Sequence, residues 1–136
     1  MYLLDTNVVS ELRKSQADLN VRTWADRVLP SSLFISAISL MEIETGILRS
    51  ERRDPAQGKV LRQWFESRVL PAFYGRVLAI DSAVALRCAR LHVPNPGSEC
   101  DSLIAATALV HDLTLVTRNV ADFEASGVRL FNPWLG

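Results

Sequence analysis

The chain has 136 residues, of which 49% are hydrophobic and 22% are charged. This length fits one domain, and we expect a single domain over residues 1–136 with the composition of a globular core. The 15 basic residues balance the 15 acidic ones. Non-specific polyanion binders are usually strongly basic, so composition gives no support for nucleic-acid binding, and any such activity has to come from a local site.

The apolar runs of the sequence are too short to cross a bilayer, and Asp5 interrupts the start of the chain before an apolar leader can form. We therefore expect a cytoplasmic protein that does not contact membranes. Cys88 and Cys100 are the two cysteines, and their spacing matches no zinc site. We expect two ordinary thiols on helices.

The first half of the chain alternates strand-like and helix-like patterns. An apolar run at residues 1–4 predicts a buried strand, and Thr6 or Asn7 can cap the helix that follows it. The next predicted elements are a helix at residues 18–29, a strand at 33–36, a helix from Ser39, a loop at 49–58 and a long helix to Leu70 closed by Pro71.

The second half continues the alternation. The pattern predicts a strand at residues 76–80, a helix capped by Ser82 that runs to about His92, and a Pro-rich loop at residues 93–98. A helix at about residues 100–111, a strand at 113–117, a short helix at 120–124 and a strand at 128–131 complete the chain. Strands that alternate with helices predict a three-layer α/β/α sandwich around a central parallel sheet.

Acidic residues fall close to the predicted strand ends. Ligands bind outside the carboxyl ends of the strands in an open parallel sheet. We therefore expect one edge of the sheet to collect four acids that are far apart in the sequence: Asp5, Glu42, Asp101 and Asp122. Carboxylate oxygens are hard ligands suited to Mg²⁺ or Mn²⁺, and a bound cation would offset their mutual repulsion. Such an ion can activate a water and stabilise charge on a phosphodiester.

Each acid also has a simpler interpretation. Asp5 can be the cap of the first helix, Glu42 can lie on the surface, and Asp101 can be an N-cap. Asp122 can be an ordinary residue of a turn. It is the joint placement of the four acids that favours a metal site.

Four sequence blocks resemble the PIN-domain family, and within it the VapC toxin nucleases of the FitB-like branch. They are Leu4 to Ser10, Ile38 to Glu42, Asp101 to Ala108 and Leu115 to Asn119, with the ending Phe131 to Trp134 closest to that branch. The resemblance implies an α/β/α sandwich and a Mg²⁺- or Mn²⁺-dependent endoribonuclease, usually the toxin of a toxin–antitoxin pair.

Carried over by position, the resemblance makes Asp5, Glu42 and Asp101 the acidic ligands. The fourth acid of the family often stands where this sequence has Asn119, and the nearest acid is Asp122. Which of the two completes the site is open, and we favour Asp122. The resemblance also makes neighbouring polar side chains orient the ligands and water: Thr6, Ser39, Thr117 and Asn119.

The resemblance further implies an RNA substrate, a small cognate antitoxin, contact with DNA only through that antitoxin, and a homodimer within a larger assembly. The helix with Trp64 and Phe65 can contribute to a dimer or to the core of one chain. Two rival functions remain. One is a catalytically weak PIN-fold subunit of a DNA-binding regulatory complex. The other is a phosphatase-type enzyme, which would usually place a second acid at the position of Asn7.

Overall fold

Strands alternate with helices along the chain, as predicted, in a computed structural model that describes residues 1–136. The strands are β1 (Tyr2–Leu4), β2 (Leu33–Ser36), β3 (Val77–Leu78), β4 (Thr114–Val116) and β5 (Leu130–Phe131). The α-helices are α1 (Thr6–Arg13), α2 (Leu19–Arg27), α3 (Ala37–Arg53), α4 (Pro55–Trp64), α5 (Leu70–Ala72), α6 (Ser82–Leu91) and α7 (Glu99–Val110). Short 3₁₀ turns cover Pro30–Ser32, Val120–Ser126 and Pro133–Leu135. No helix is long and apolar enough to span a membrane.

All five strands are parallel and lie in the order β3-β2-β1-β4-β5. The chain builds the sheet outward from β1 on one side and then crosses to build β4 and β5 on the other. The topological switch point therefore lies between β1 and β4, where Leu4 pairs with Val116. Crevices at such switch points are the usual ligand sites of open parallel sheets.

The sheet is covered by helices on both faces, which confirms the predicted three layers. Successive residues of a strand point to opposite faces. Leu4 and Val116 belong to the core beneath α1, α2 and α3, whereas Leu3 and Leu115 belong to the core beneath α7. Each of these four side chains is at most 1% exposed. Burial on both faces explains why the strands read as continuous apolar runs.

The predicted loop at residues 49–58 is wrong, because α3 continues to Arg53 and α4 begins at Pro55. Asp54 alone makes the turn, with its side chain accepting from the N–H of Gln57 at 3.3 Å. Gly58 is a packing residue: a Cβ there would lie 2.6 Å from the Cα of Glu51. The two helices can cross this closely only because position 58 has no side chain.

The prediction that Pro71 closes the long helix is wrong. The helical path passes through a π turn at Phe65–Val69 and continues as α5 to Ala72. Proline has no N–H and its ring crowds the preceding turn, so a local change of hydrogen-bond register lets the helix include it. Phe65 is 5% exposed and lies in the core, while Trp64 packs against that core from its edge.

Other helix starts differ from the predictions by a few residues. Ser36, and not Ser39, precedes the first residue of α3 and accepts from the N–H of Ile38 at 3.0 Å. Asp81, and not Ser82, caps α6 by accepting from Val84 at 3.0 Å. A side-chain oxygen one to three residues earlier can cap the helix start equally well, so the pattern alone does not choose between nearby caps. Both cysteines are free thiols on helices, as predicted.

Candidate active site

Asp5 lies at the switch point of the sheet, directly after β1, and is 7% exposed. Its Oδ1 accepts from the N–H of Thr6 at 2.8 Å, so Asp5 itself caps α1, and the predicted caps Thr6 and Asn7 are wrong. Its Oδ2 accepts from the hydroxyl of Thr117 at 2.7 Å. The N–H of Asn119 donates to the Thr117 oxygen at 3.0 Å, which orients the Thr117 hydrogen towards Asp5.

Glu42 reaches the same edge from the second turn of α3 and is held by α1. The Thr6 hydroxyl donates to Glu42 Oε1 at 2.6 Å, and the same hydroxyl lies 3.0 Å from the Ser39 oxygen. Ser39 is completely buried. Thr6 and Ser39 therefore fix the position of the Glu42 carboxylate, which would otherwise be free to rotate on a half-buried helix face.

Asp101 and Asp122 face a common cavity of about 120 Å³ beside the Pro-rich loop. Asp101 lies in the first turn of α7, which Ser98 caps, so Asp101 is not needed as the cap. Asp122 comes from the 3₁₀ turn after β4 and is exposed. Its place in the first turn puts Asp101 at the positive end of the helix dipole.

The four acids influence one another electrostatically. Burial raises the pKa of Asp5; the hydrogen bonds from Thr117 and Thr6 lower that pKa, and the charges of Glu42 and Asp122 raise it. The pKa of Asp101 is also raised, first by burial and then by Asp5, Asp122 and Glu42. The ionised forms of Asp5 and Asp101 are thus disfavoured mainly by burial and, to a smaller extent, by the neighbouring carboxylates.

The donor chemistry fits a hard divalent cation. Each oxygen of Asp5 accepts one hydrogen bond and has a second lone pair available. Asn7 Oδ1, two residues further on, is the one buried side-chain polar atom without a hydrogen-bond partner. The structure contains no group of three His, Cys, Asp or Glu side chains placed to hold a metal ion by themselves. A bound ion would therefore need water molecules among its ligands, as Mg²⁺ usually has.

The two candidates for the fourth acid position differ in how they contact the cluster. The electrostatic effect of Asp122 reaches both Asp5 and Asp101. Asn119 is exposed, and its contact with the cluster is through its backbone N–H. The sequence did not predict a role for Asn7 in the site. Its position two residues after Asp5 is the feature that could have indicated one.

Comparison with known proteins gives the family. The PIN domain model matches residues 2–125. The chain belongs to the PIN domain family. It is 37% identical to Toxin FitB of Neisseria gonorrhoeae over 98% of this chain and 99% of that protein. It is also 37% identical to VapC ribonuclease Y4jK of Sinorhizobium fredii over 98% of both chains. These relatives confirm the resemblance to the VapC and FitB toxins.

A solved structure agrees with the fold in detail. FitAB bound to an IR36 DNA fragment matches with a TM-score of 0.90 and 34% identity, over 98% of this chain and 96% of that one. The agreement covers the central parallel sheet and its flanking helices, and so confirms the predicted PIN-like sandwich.

Proposed function

We propose that this PIN-domain chain is the toxin of a toxin–antitoxin pair and acts as a divalent-metal-dependent endoribonuclease. The observation that carries the proposal is the convergence of four acids at the switch point, where the pKa values of Asp5 and Asp101 are both raised. Such a cluster is unfavourable by itself and becomes favourable when a cation is bound. Relatives along the whole chain are named as a toxin and a ribonuclease.

In this proposal Asp5, Glu42, Asp101 and Asp122 hold Mg²⁺ or Mn²⁺, directly or through water. When bound, the ion supplies positive charge for the phosphodiester and makes a neighbouring water more acidic. The chain's own residues set the geometry. Thr117 fixes the Asp5 carboxylate, and Thr6, backed by Ser39, fixes Glu42.

The proposed substrate is RNA, and the proposed partners are a small antitoxin and a second copy of the chain. The matching FitAB structure is bound to an IR36 DNA fragment. We propose that this chain contacts DNA only through its antitoxin. Residues 1–136 would then form one nuclease domain that its partner holds inactive.

The test is cleavage of labelled structured RNA, with DNA in parallel, by the chain freed of any partner. Cleavage should require Mn²⁺ or Mg²⁺, stop in chelator and be lost in Asp5→Asn and Asp101→Asn. Asp26→Asn is the matched control, because Asp26 is an exposed acid of α2. Activity that survives both site substitutions contradicts the proposal, and absence of any cleavage favours the regulatory alternative.

The same assay identifies the fourth acid. If Asp122 belongs to the site, Asp122→Asn should raise the metal concentration needed for half-maximal cleavage. Asn119→Ala should change it less, because the backbone N–H that contacts Thr117 is retained. The reverse order of effects would assign the position to Asn119.

A further inference from the structure

A groove of about 330 Å³ begins at Glu42 and runs between α1 and the pair of helices α3 and α4. One face of each helix lines it. Thr6, Ser10 and Arg13 come from α1 at helical spacing, and Glu42 and Arg53 lie near opposite ends of the lining face of α3. The groove therefore connects a site carboxylate to arginines on two separate helices.

The two arginines of this groove form no ion pair with an acidic side chain of the protein. Arg13 and Arg53 are exposed, and neither takes part in any of the four ion pairs of the structure. The nearby acids of α3 are already engaged: Glu44 pairs with Arg62 at 2.6 Å, and Glu51 pairs with the same guanidinium at 3.1 Å. Two guanidinium groups that form no ion pair thus line the groove, one from α1 and one from α3.

Trp64 adds an aromatic surface to the same groove. Its indole is partly exposed, and the guanidinium carbon of Arg13 lies 6.0 Å from its ring centroid. Trp64 also packs against the hydrophobic core. Proteins commonly bind an unpaired nucleotide with an aromatic ring and nearby arginines. The ring stacks on the base, and the guanidinium groups contact the phosphates.

We infer that this groove binds a single-stranded segment of RNA adjacent to the phosphodiester at the acidic cluster. Arg13 and Arg53 contact its phosphates, and Trp64 stacks on one base. This inference deepens the proposed function and depends on it for the identity of the substrate. A peptide tail would use the apolar wall, but the two unpaired arginines and the continuity with Glu42 favour a polyanion that must also reach the carboxylates.

The test is binding of a fluorescein-labelled twelve-nucleotide uridine RNA to the free chain in Ca²⁺ and in chelator, followed by anisotropy at several salt concentrations. Arg13→Ala and Arg53→Ala should each weaken binding about tenfold. Each should also reduce the slope of log affinity against log salt by about 0.7. Arg52→Ala is the matched control, because Arg52 is an exposed arginine of α3 that does not line the groove. Its affinity should change less than twofold.

Stacking has a separate readout. The chain contains three tryptophans, so part of its fluorescence comes from Trp64. The unlabelled uridine RNA should quench that part, and Trp64→Phe, which keeps an aromatic ring in the core, should remove the quenching. Thermal melts of every variant identify any that fail to fold, and Arg13→Lys and Arg53→Lys provide milder replacements.

Equal weakening by Arg13→Ala, Arg53→Ala and Arg52→Ala would overturn the inference, because it would show only general attraction to charge. Unchanged RNA binding together with lost binding of an antitoxin peptide would assign the groove to a protein partner and also overturn it. RNA binding that follows the expected order in a chain that cleaves nothing would support the groove and refute the nuclease proposal. Cleavage that is lost in Asp101→Asn but unchanged in Arg13→Ala and Arg53→Ala would support the nuclease proposal and refute the groove.

Discussion

Replacing Thr117 by valine keeps the shape of a buried side chain and removes its hydrogen bond to Asp5 Oδ2 at 2.7 Å. It also removes the acceptor of the Asn119 N–H, 3.0 Å away, which belongs to an exposed residue and can donate to water instead. A hydrogen bond to a charged group contributes about 1.5–3 kcal/mol. We take about 2 kcal/mol for the loss in the free energy of unfolding. Unfolding entropy is about 2.1 cal/mol/K per residue, hence about 0.29 kcal/mol/K for 136 residues. The expected fall in Tm at pH 8 is therefore about 7 °C.

The loss should depend on pH, and its sign follows from the raised pKa of Asp5. Thr117 lowers that pKa, so Thr117→Val raises it further. At high pH the ionised Asp5 lacks its donor, and the full loss is seen. As pH falls through the raised pKa of the variant and then that of the parent, Asp5 becomes neutral in both, and the difference shrinks.

Thr107→Val is the matched control. Thr107 is also fully buried, and its hydroxyl donates to the carbonyl of Leu103 at 2.7 Å, a neutral acceptor. We expect a loss of about 1 kcal/mol that does not vary with pH. Differential scanning fluorimetry of both variants between pH 5 and pH 8, run in chelator, measures the two curves. Parallel, pH-independent losses would refute the role assigned to Thr117 as a support for the ionised Asp5.

The remaining predictions concern the charge of the cluster and the crossing of α3 with α4. Asp101→Asn should raise the Tm of the metal-free chain at pH 8, because the raised pKa of Asp101 makes its ionised form unfavourable. This gain in Tm should vanish as the pH falls towards the ordinary carboxyl range. A lower Tm of the variant at pH 8 would contradict the prediction. Mn²⁺ at about 100 times its Kd should stabilise the parent by about 2.7 kcal/mol in a thermal melt, and Asp101→Asn should abolish that gain; equal gains would mean that the metal binds elsewhere. Gly58→Ala should cost about 1–3 kcal/mol in urea unfolding, because its Cβ meets the backbone of Glu51. Gly46→Ala should stabilise α3 by about 0.5–1 kcal/mol, since nothing lies within 4 Å of the added Cβ; similar effects of the two substitutions would refute the close crossing.

Much of the fold could be predicted from local patterns. Apolar runs bounded by turn residues located all five strands, since a parallel strand buried on both faces has no polar positions to interrupt it. The prediction that four acids lie at one sheet edge has a related basis: Asp5 and Asp122 follow strands, and Glu42 and Asp101 lie in the first two turns of helices. Local patterns were wrong about where the helices are interrupted. Asp54, Gly58 and Pro71 all looked like helix breaks, but only Asp54 separates two helices, α3 and α4. Gly58 lies inside α4 and Pro71 inside α5.

By itself, then, the sequence determined which segments are strands and helices and which carboxylates belong near strand ends, because these depend on neighbours a few residues apart. The tertiary structure alone decided which groups meet. Asp5 and Thr117 are 112 residues apart and hydrogen-bonded, because the sheet order makes β1 and β4 neighbours. Glu42 is held by Thr6 of another helix, and Arg13 and Arg53 face one groove for the same reason. Contacts of this range come from how helices pack across the sheet, and no periodicity within a single segment encodes them.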